Sequence, residues 1–155
     1  MDRREAIKIG AAAVVALPLA SQPAPPLFFT PEEFQAVDVL TEMIIPADDH
    51  SPGARAAKVA AYIDKRLAES FEPEPQQQWR EGLKRFLAVP QDQWTALLTA
   101  SAENEGEPKT PEELFFKELK ARTAQVYYSS DIGIHKEMEY KGNTYLDDFV
   151  GYRAP

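Results

Sequence analysis

Two copies of one tetrapeptide, Thr30-Pro31-Glu32-Glu33 and Thr110-Pro111-Glu112-Glu113, constrain the fold most, because each specifies the start of an α-helix. Threonine at the N-cap accepts a hydrogen bond from the amide three residues on. Glutamate at that third position reaches back to the cap amide, and proline at the first helical position gives up no bond by lacking an N–H. Phe29 and Phe34 flank the first copy as a hydrophobic staple. The sequences around the two copies are too unlike for an internal repeat.

Helical spacing fills the interval between them. The first helix runs from the Thr30 cap to about Ile45, carries Phe34, Val37, Leu40, Met43 and Ile44 on one side, and ends at Pro46. A second is expected from Ala54 to Phe71, with an inward apolar face of Val59, Tyr62, Ile63 and Leu67 closed by Phe71, and with Arg55, Lys58, Lys65 and Arg66 solvated. Glu72-Pro73-Glu74-Pro75 reads as a break. A third helix follows from Gln76 to Val89, with Trp79, Leu83, Phe86 and Leu87, and a fourth from Gln91 to Ala100, with Trp94, Leu97 and Leu98. Both tryptophans fall on apolar stripes and read as core anchors. The polar loop Ser101–Lys109 leads to the fifth helix, which carries Leu114, Phe115, Leu119, Val126 and Tyr127 and breaks at Ser129-Ser130-Asp131. Residues 129–155 keep many rings and aliphatics but no sustained period. Gly133, Gly142 and Gly151 punctuate them, and Gly142-Asn143 is a turn dipeptide. The expected fold is all-α: a bundle of about five helices with an irregular, glycine-punctuated C-terminal tail lying across its own helices or across a partner.

Residues 1–20 read as an export signal. Arg3-Arg4-Glu5-Ala6-Ile7-Lys8 precedes an apolar run from Ile9 to Ala20 that is short of the about 20 residues a membrane span takes. The arrangement resembles a twin-arginine signal, with Ala6 standing where a bulkier residue is usual. Cleavage after Ala20 or Ala24 is expected. An uncleaved anchor and a merely amphipathic first helix are the alternatives. Residues 21–29 form a proline-rich linker, and residues 30–155 the helical domain.

Composition narrows the chemistry. The chain has no cysteine, which excludes a disulfide, a thiolate-held iron-sulfur cluster, covalent c-type haem attachment and a cysteine nucleophile. Its net charge of −8 and lack of a basic stripe argue against nucleic acid as a partner. His50 and His135 are the only histidines, and neither accompanies a glycine-flanked serine elbow. Asp48, Asp49 and His50 stand in a row before the second helix and, with His135, suggest a metal- or ligand-binding alternative. Adjacent residues converge poorly on one ion, so capping of the next helix is the preferred reading. Glu137 and Glu139 beside His135 read better as alternating charges of an exposed segment than as an acid-base set. No catalytic constellation emerges.

Leu40–Ala54 (LTEMIIPADDHSPGA), Tyr62-Ile63-Asp64, Phe115-Phe116 with Leu119 and Thr123, Gly142-Asn143 and Gly151-Tyr152, in that order, resemble the gluconate 2-dehydrogenase subunit 3 family. The resemblance implies a non-catalytic small subunit that binds, stabilises and helps export a flavoprotein of the glucose-methanol-choline type, which holds FAD and oxidises a sugar or polyol. A c-type cytochrome often joins such complexes. The implied location is the periplasm, reached through the twin-arginine translocase with Arg3 and Arg4 as its signal. No catalytic residue carries over. Tyr140, Gly142, Asn143, Tyr145, Phe149, Gly151 and Tyr152 are the candidate partner-facing residues.

Overall fold

The computed structural model describes residues 25–143, and among them every regular element is helical. α1 spans Pro31–Ile44, α2 Gly53–Ala56, α3 Val59–Ala68, α4 Pro73–Leu87, α5 Trp94–Glu103 and α6 Pro111–Tyr128. A 3-10 turn, Gln91–Gln93, leads into α5, and a π-helical turn, Gly133–Glu137, follows α6. The all-α expectation holds.

Both Thr-Pro-Glu-Glu copies act as read. Thr30 Oγ1 accepts from the Glu33 amide at 3.2 Å and Glu33 Oε2 from the Thr30 amide at 2.9 Å. Thr110 and Glu113 repeat the exchange at 3.3 and 3.1 Å. Glu113 goes further, accepting from the Lys109 amide and from Asn104 Nδ2, and these donors hold its carboxyl below the usual carboxylate range. The start of α6 is thereby tied to the end of α5.

Aromatic rings organise the interior. Phe28, Phe29, Trp79, Phe115, Phe86 and Trp94 touch in succession, with centroids 5.0 to 6.2 Å apart and mostly edge-on or tilted, the arrangement favoured by ring quadrupoles. This spine links the segment before α1 to α4, α5 and α6. Trp94 also donates from Nε1 to the Phe86 carbonyl at 2.8 Å, satisfying a carbonyl at the end of α4. Both tryptophans are buried, as their spacing implies. α4 meets α6 so closely at Gly82 that a Cβ there would overlap the Phe115 side chain.

Several boundaries differ from those read in sequence. The helix expected from Ala54 to Phe71 is two helices, because Lys58 adopts a left-handed conformation with φ of 56°. That conformation costs about 1 kcal/mol for a residue with a Cβ. The bend lets Ala54, Val59 and Ala60 all bury, which an unbroken helix would not allow at this corner. α4 starts at Pro73 and not at Gln76: Pro73 and Pro75 lie in its first turn, where no amide hydrogen is needed. α5 begins at Trp94, after the 3-10 turn. The tail is less irregular than expected at its start. Ser130 Oγ donates to the Tyr127 carbonyl and accepts from the Gly133 amide, carrying the chain into the π-helical turn. Gly133 is buried there and is needed for close approach, since a Cβ would overlap the Tyr127 carbonyl oxygen. Tyr62 and Phe71, read as inward-facing, are exposed.

Candidate partner interface

Three surfaces carry the residues singled out in sequence or exposed by the fold. The first is the strap before α1. Asp64, only 4% exposed in the middle of α3, accepts from three successive backbone amides: Leu27 at 2.6 Å, Phe28 at 3.0 Å and Phe29 at 2.9 Å. A buried carboxylate is tolerated when its lone pairs are filled in this way. Arg80 completes the strap. It donates to the Phe28 carbonyl at 2.9 Å and to both carboxylate oxygens of Glu33, and it lies 4.4 Å from the Phe28 ring centroid. The linker assigned to residues 21–29 is therefore anchored over its last three positions.

The second is the loop between α1 and α2, which holds Asp48, Asp49 and His50. Asp48 Oδ1 accepts from the amides of His50 at 2.8 Å and Ser51 at 2.7 Å, and these two bonds pull its carboxyl below the usual range. Ser51 Oγ meets the Tyr127 hydroxyl in the interior and accepts from the Gly53 amide. Glu42 secures the loop from α1, accepting from Ala47 and Arg55 amides around Gly53, whose φ is +80°. Asp38 pairs with Arg55 at 2.6 Å and raises its already high pKa. Loop closure thus occupies Asp48 Oδ1; the expected capping of the next helix is not its role, because α2 has Pro52 at its N-cap and no side-chain cap bond. No group of three or more Asp, Glu or His side chains able to hold a metal ion occurs among the described residues. His135 pairs with Asp131 on its own turn at 2.9 Å.

The third is the C-terminal end of α6 and what adjoins it. Of the partner-facing candidates, Tyr140, Gly142 and Asn143 come together: the Tyr140 hydroxyl donates to Asn143 Oδ1 at 2.6 Å around Gly142, whose φ is +96°. Gly142 has open space about it, so glycine is favoured there by backbone conformation and not by crowding. The chain turns back before this point through the Tyr140 amide, which donates to the Ile134 carbonyl at 3.0 Å, with Glu139 at φ 48°. Tyr128, Met138 and Tyr140 leave about half their surface in solvent. Tyr145, Phe149, Gly151 and Tyr152 lie outside the described residues, as do Arg3 and Arg4.

Beside that end opens a cleft of about 980 Å³ between α3, the start of α4 and α6. Its floor is Ile63, Leu67, Trp79 and Val126. Tyr62 and a fully exposed Phe71 stand at its edge. Sequence reasoning missed this surface because it placed both rings on the inward face of one long helix. The signal that was available is Phe71 next to Glu72-Pro73, since an aromatic at a helix-to-helix corner has no second turn to cover it.

A family model described as gluconate 2-dehydrogenase subunit 3 matches residues 31–144, more than half of the chain. No curated protein and no solved structure matches it.

Proposed function

The chain belongs to the gluconate 2-dehydrogenase subunit 3 family and is a subunit of a dehydrogenase complex, and on that footing we propose that it is the small, non-catalytic subunit. Its task in this reading is to bind and stabilise an FAD-dependent flavoprotein of the glucose-methanol-choline type acting on sugars or polyols, and to take it into the periplasm by means of the Arg3-Arg4 signal. Catalysis and cofactor belong to the partner, and a c-type cytochrome is the electron acceptor such a complex would use. The observation that carries the reading is the family match across all six helices. The rigid strap at Asp64 and the half-exposed rings at Tyr128, Met138 and Tyr140 agree with a helical platform presenting a C-terminal contact surface.

The test is co-purification of the full chain from its native host. A tag inserted at Gly106, in the exposed loop where nothing lies within 4 Å, leaves both termini untouched. The expected result is a yellow preparation with flavin absorbance and a larger second chain. Removing residues 139–155, which spares the π-helical turn, should leave the helical circular dichroism intact and abolish the association. A colourless, monomeric full chain would refute the subunit role proposed here. A truncated chain that still held the flavoprotein would refute the tail as its contact.

A further inference from the structure

The geometry points to the cleft between α3, α4 and α6 as a second contact of this subunit. It would receive an apolar segment of the dehydrogenase subunit flanked by Lys or Arg. The inference rests on the subunit reading above and adds to it a surface that the C-terminal partner-facing candidates among the described residues do not line.

Phe71 is the first argument. It is fully exposed and lines the cleft together with Tyr62, itself half exposed, and two rings grouped on one surface carry more weight than a single exposed one. The corner that carries it is also fixed. Gln76 Nε2 donates to the Leu67 carbonyl at 2.8 Å, Ser70 Oγ donates to the Glu72 carbonyl at 3.1 Å, and Pro73 sets the first turn of α4. The backbone on either side of Phe71 is thus set by a hydrogen-bonded turn, so little backbone entropy remains to be lost when a partner arrives.

The charges on the walls supply the second argument. Arg66 pairs with Glu69 at 3.2 Å within α3, and Arg122 with Glu118 at 2.6 Å within α6. Among the described residues no ion pair crosses the cleft, and its large exposed apolar side chains are Tyr62 and Phe71, the residues beneath them being buried. These side chains pair along their own helices and do not converge on a point in the cleft, as the polar groups of a small-molecule site do. The volume, about 980 Å³, lies at the upper end for such sites and accommodates a polypeptide segment.

Charge selects among polypeptides. Glu72 and Glu74, exposed beside Phe71, have no ion-pair partner among the described residues. A second copy of a chain with net charge −8 would bring like charge to this rim. A segment with basic flanks would neutralise it and set its apolar side chains on Tyr62 and Phe71. Position agrees as well. Gln125, Val126 and Ser129 of the α6 end line the cleft, so one partner can span both the cleft and the C-terminal surface.

A photoreactive benzoylphenylalanine placed at Phe71 of the full chain, in the assembled complex, tests this directly. Irradiation should join the subunit to the flavoprotein, and mass spectrometry should place the adduct on an apolar peptide with basic neighbours. An adduct to a second copy, to residues 144–155 of the same chain, or none in a complex that still forms would overturn the inference. Phe71→Glu gives an independent reading: association should weaken by about thirty-fold, the scale of a hot-spot residue, with the melting temperature of the free subunit unchanged. Unaltered association of Phe71→Glu would overturn the cleft contact and leave the subunit reading standing. Failure of the unsubstituted chain to bring down a flavoprotein would overturn both.

Discussion

Asp64 is the residue whose removal most directly tests how the fold is held. Asp64→Ala withdraws the acceptor of three amides at once, those of Leu27, Phe28 and Phe29. Summing three charged hydrogen bonds at about 1.5–3 kcal/mol each would overstate the loss, because two of the amides can rehydrate. Leu27 is exposed and Phe28 half-buried; only the Phe29 amide is shut away from solvent. Two responses are open to the chain. Either the strap stays and leaves one buried N–H unmet, at about 1–3 kcal/mol, or it peels off and surrenders the burial of Phe29 against Trp79, worth about 1.5–3 kcal/mol. The less costly route sets the loss, which is about 1–3 kcal/mol. Asp64→Asn keeps one carbonyl oxygen for Phe28 and Phe29 and should lose about half as much. Urea unfolding of the isolated subunit, followed by the fluorescence of Trp79 and Trp94, measures the difference. Limited proteolysis separates the routes, because a released strap is cut near Leu27. If Asp64→Ala loses under about 0.5 kcal/mol and its strap remains protected, the strap is not held by this carboxylate and the reasoning fails.

Two further substitutions test the packing and the capping. Gly82→Ala should destabilise by about 3 kcal/mol, read as a lower urea midpoint, because the new Cβ overlaps Phe115 and α4 and α6 must separate. The carboxyl of Glu113 is held below its usual pKa by the Lys109 amide, the Asn104 side chain and the Thr110 amide. Its contribution is therefore fully present above the unfolded pKa and fades as pH falls through the lower folded value. Glu113→Gln should accordingly flatten the decline in thermal stability below about pH 4.5 relative to the unsubstituted chain, and an unchanged acid limb would refute that role.

Where α1 and α6 begin was legible in sequence, because capping is a contract among four neighbouring residues. Thr30 with Glu33 and Thr110 with Glu113 carry it out without help from the rest of the fold. The burial of Trp79, Trp94, Phe115, Leu119 and Tyr127 was legible for a similar reason, since each lies on the stripe its own helix must hide. The family match, over residues 31–144, takes in every quoted motif but Gly151-Tyr152. Of the partner-facing residues, only the cluster at Tyr140, Gly142 and Asn143 falls within the described structure, and there Gly142 takes a positive φ.

The tertiary structure decided matters that depend on which surface meets which. Lys58 bends left-handed because Ala54 and Val59 must both reach the core, and nothing in the local sequence signals that demand. Asp64 looked like an unremarkable member of Tyr62-Ile63-Asp64, yet it is buried by a strap that lies 35 residues earlier in the chain. Tyr62 and Phe71 have the spacing of core residues and stand in solvent, because no helix arrives to cover them. Periodicity reports which side chains share a face of one helix. Only packing determines whether another element lies against that face, and here it leaves one face open beside the C-terminal surface.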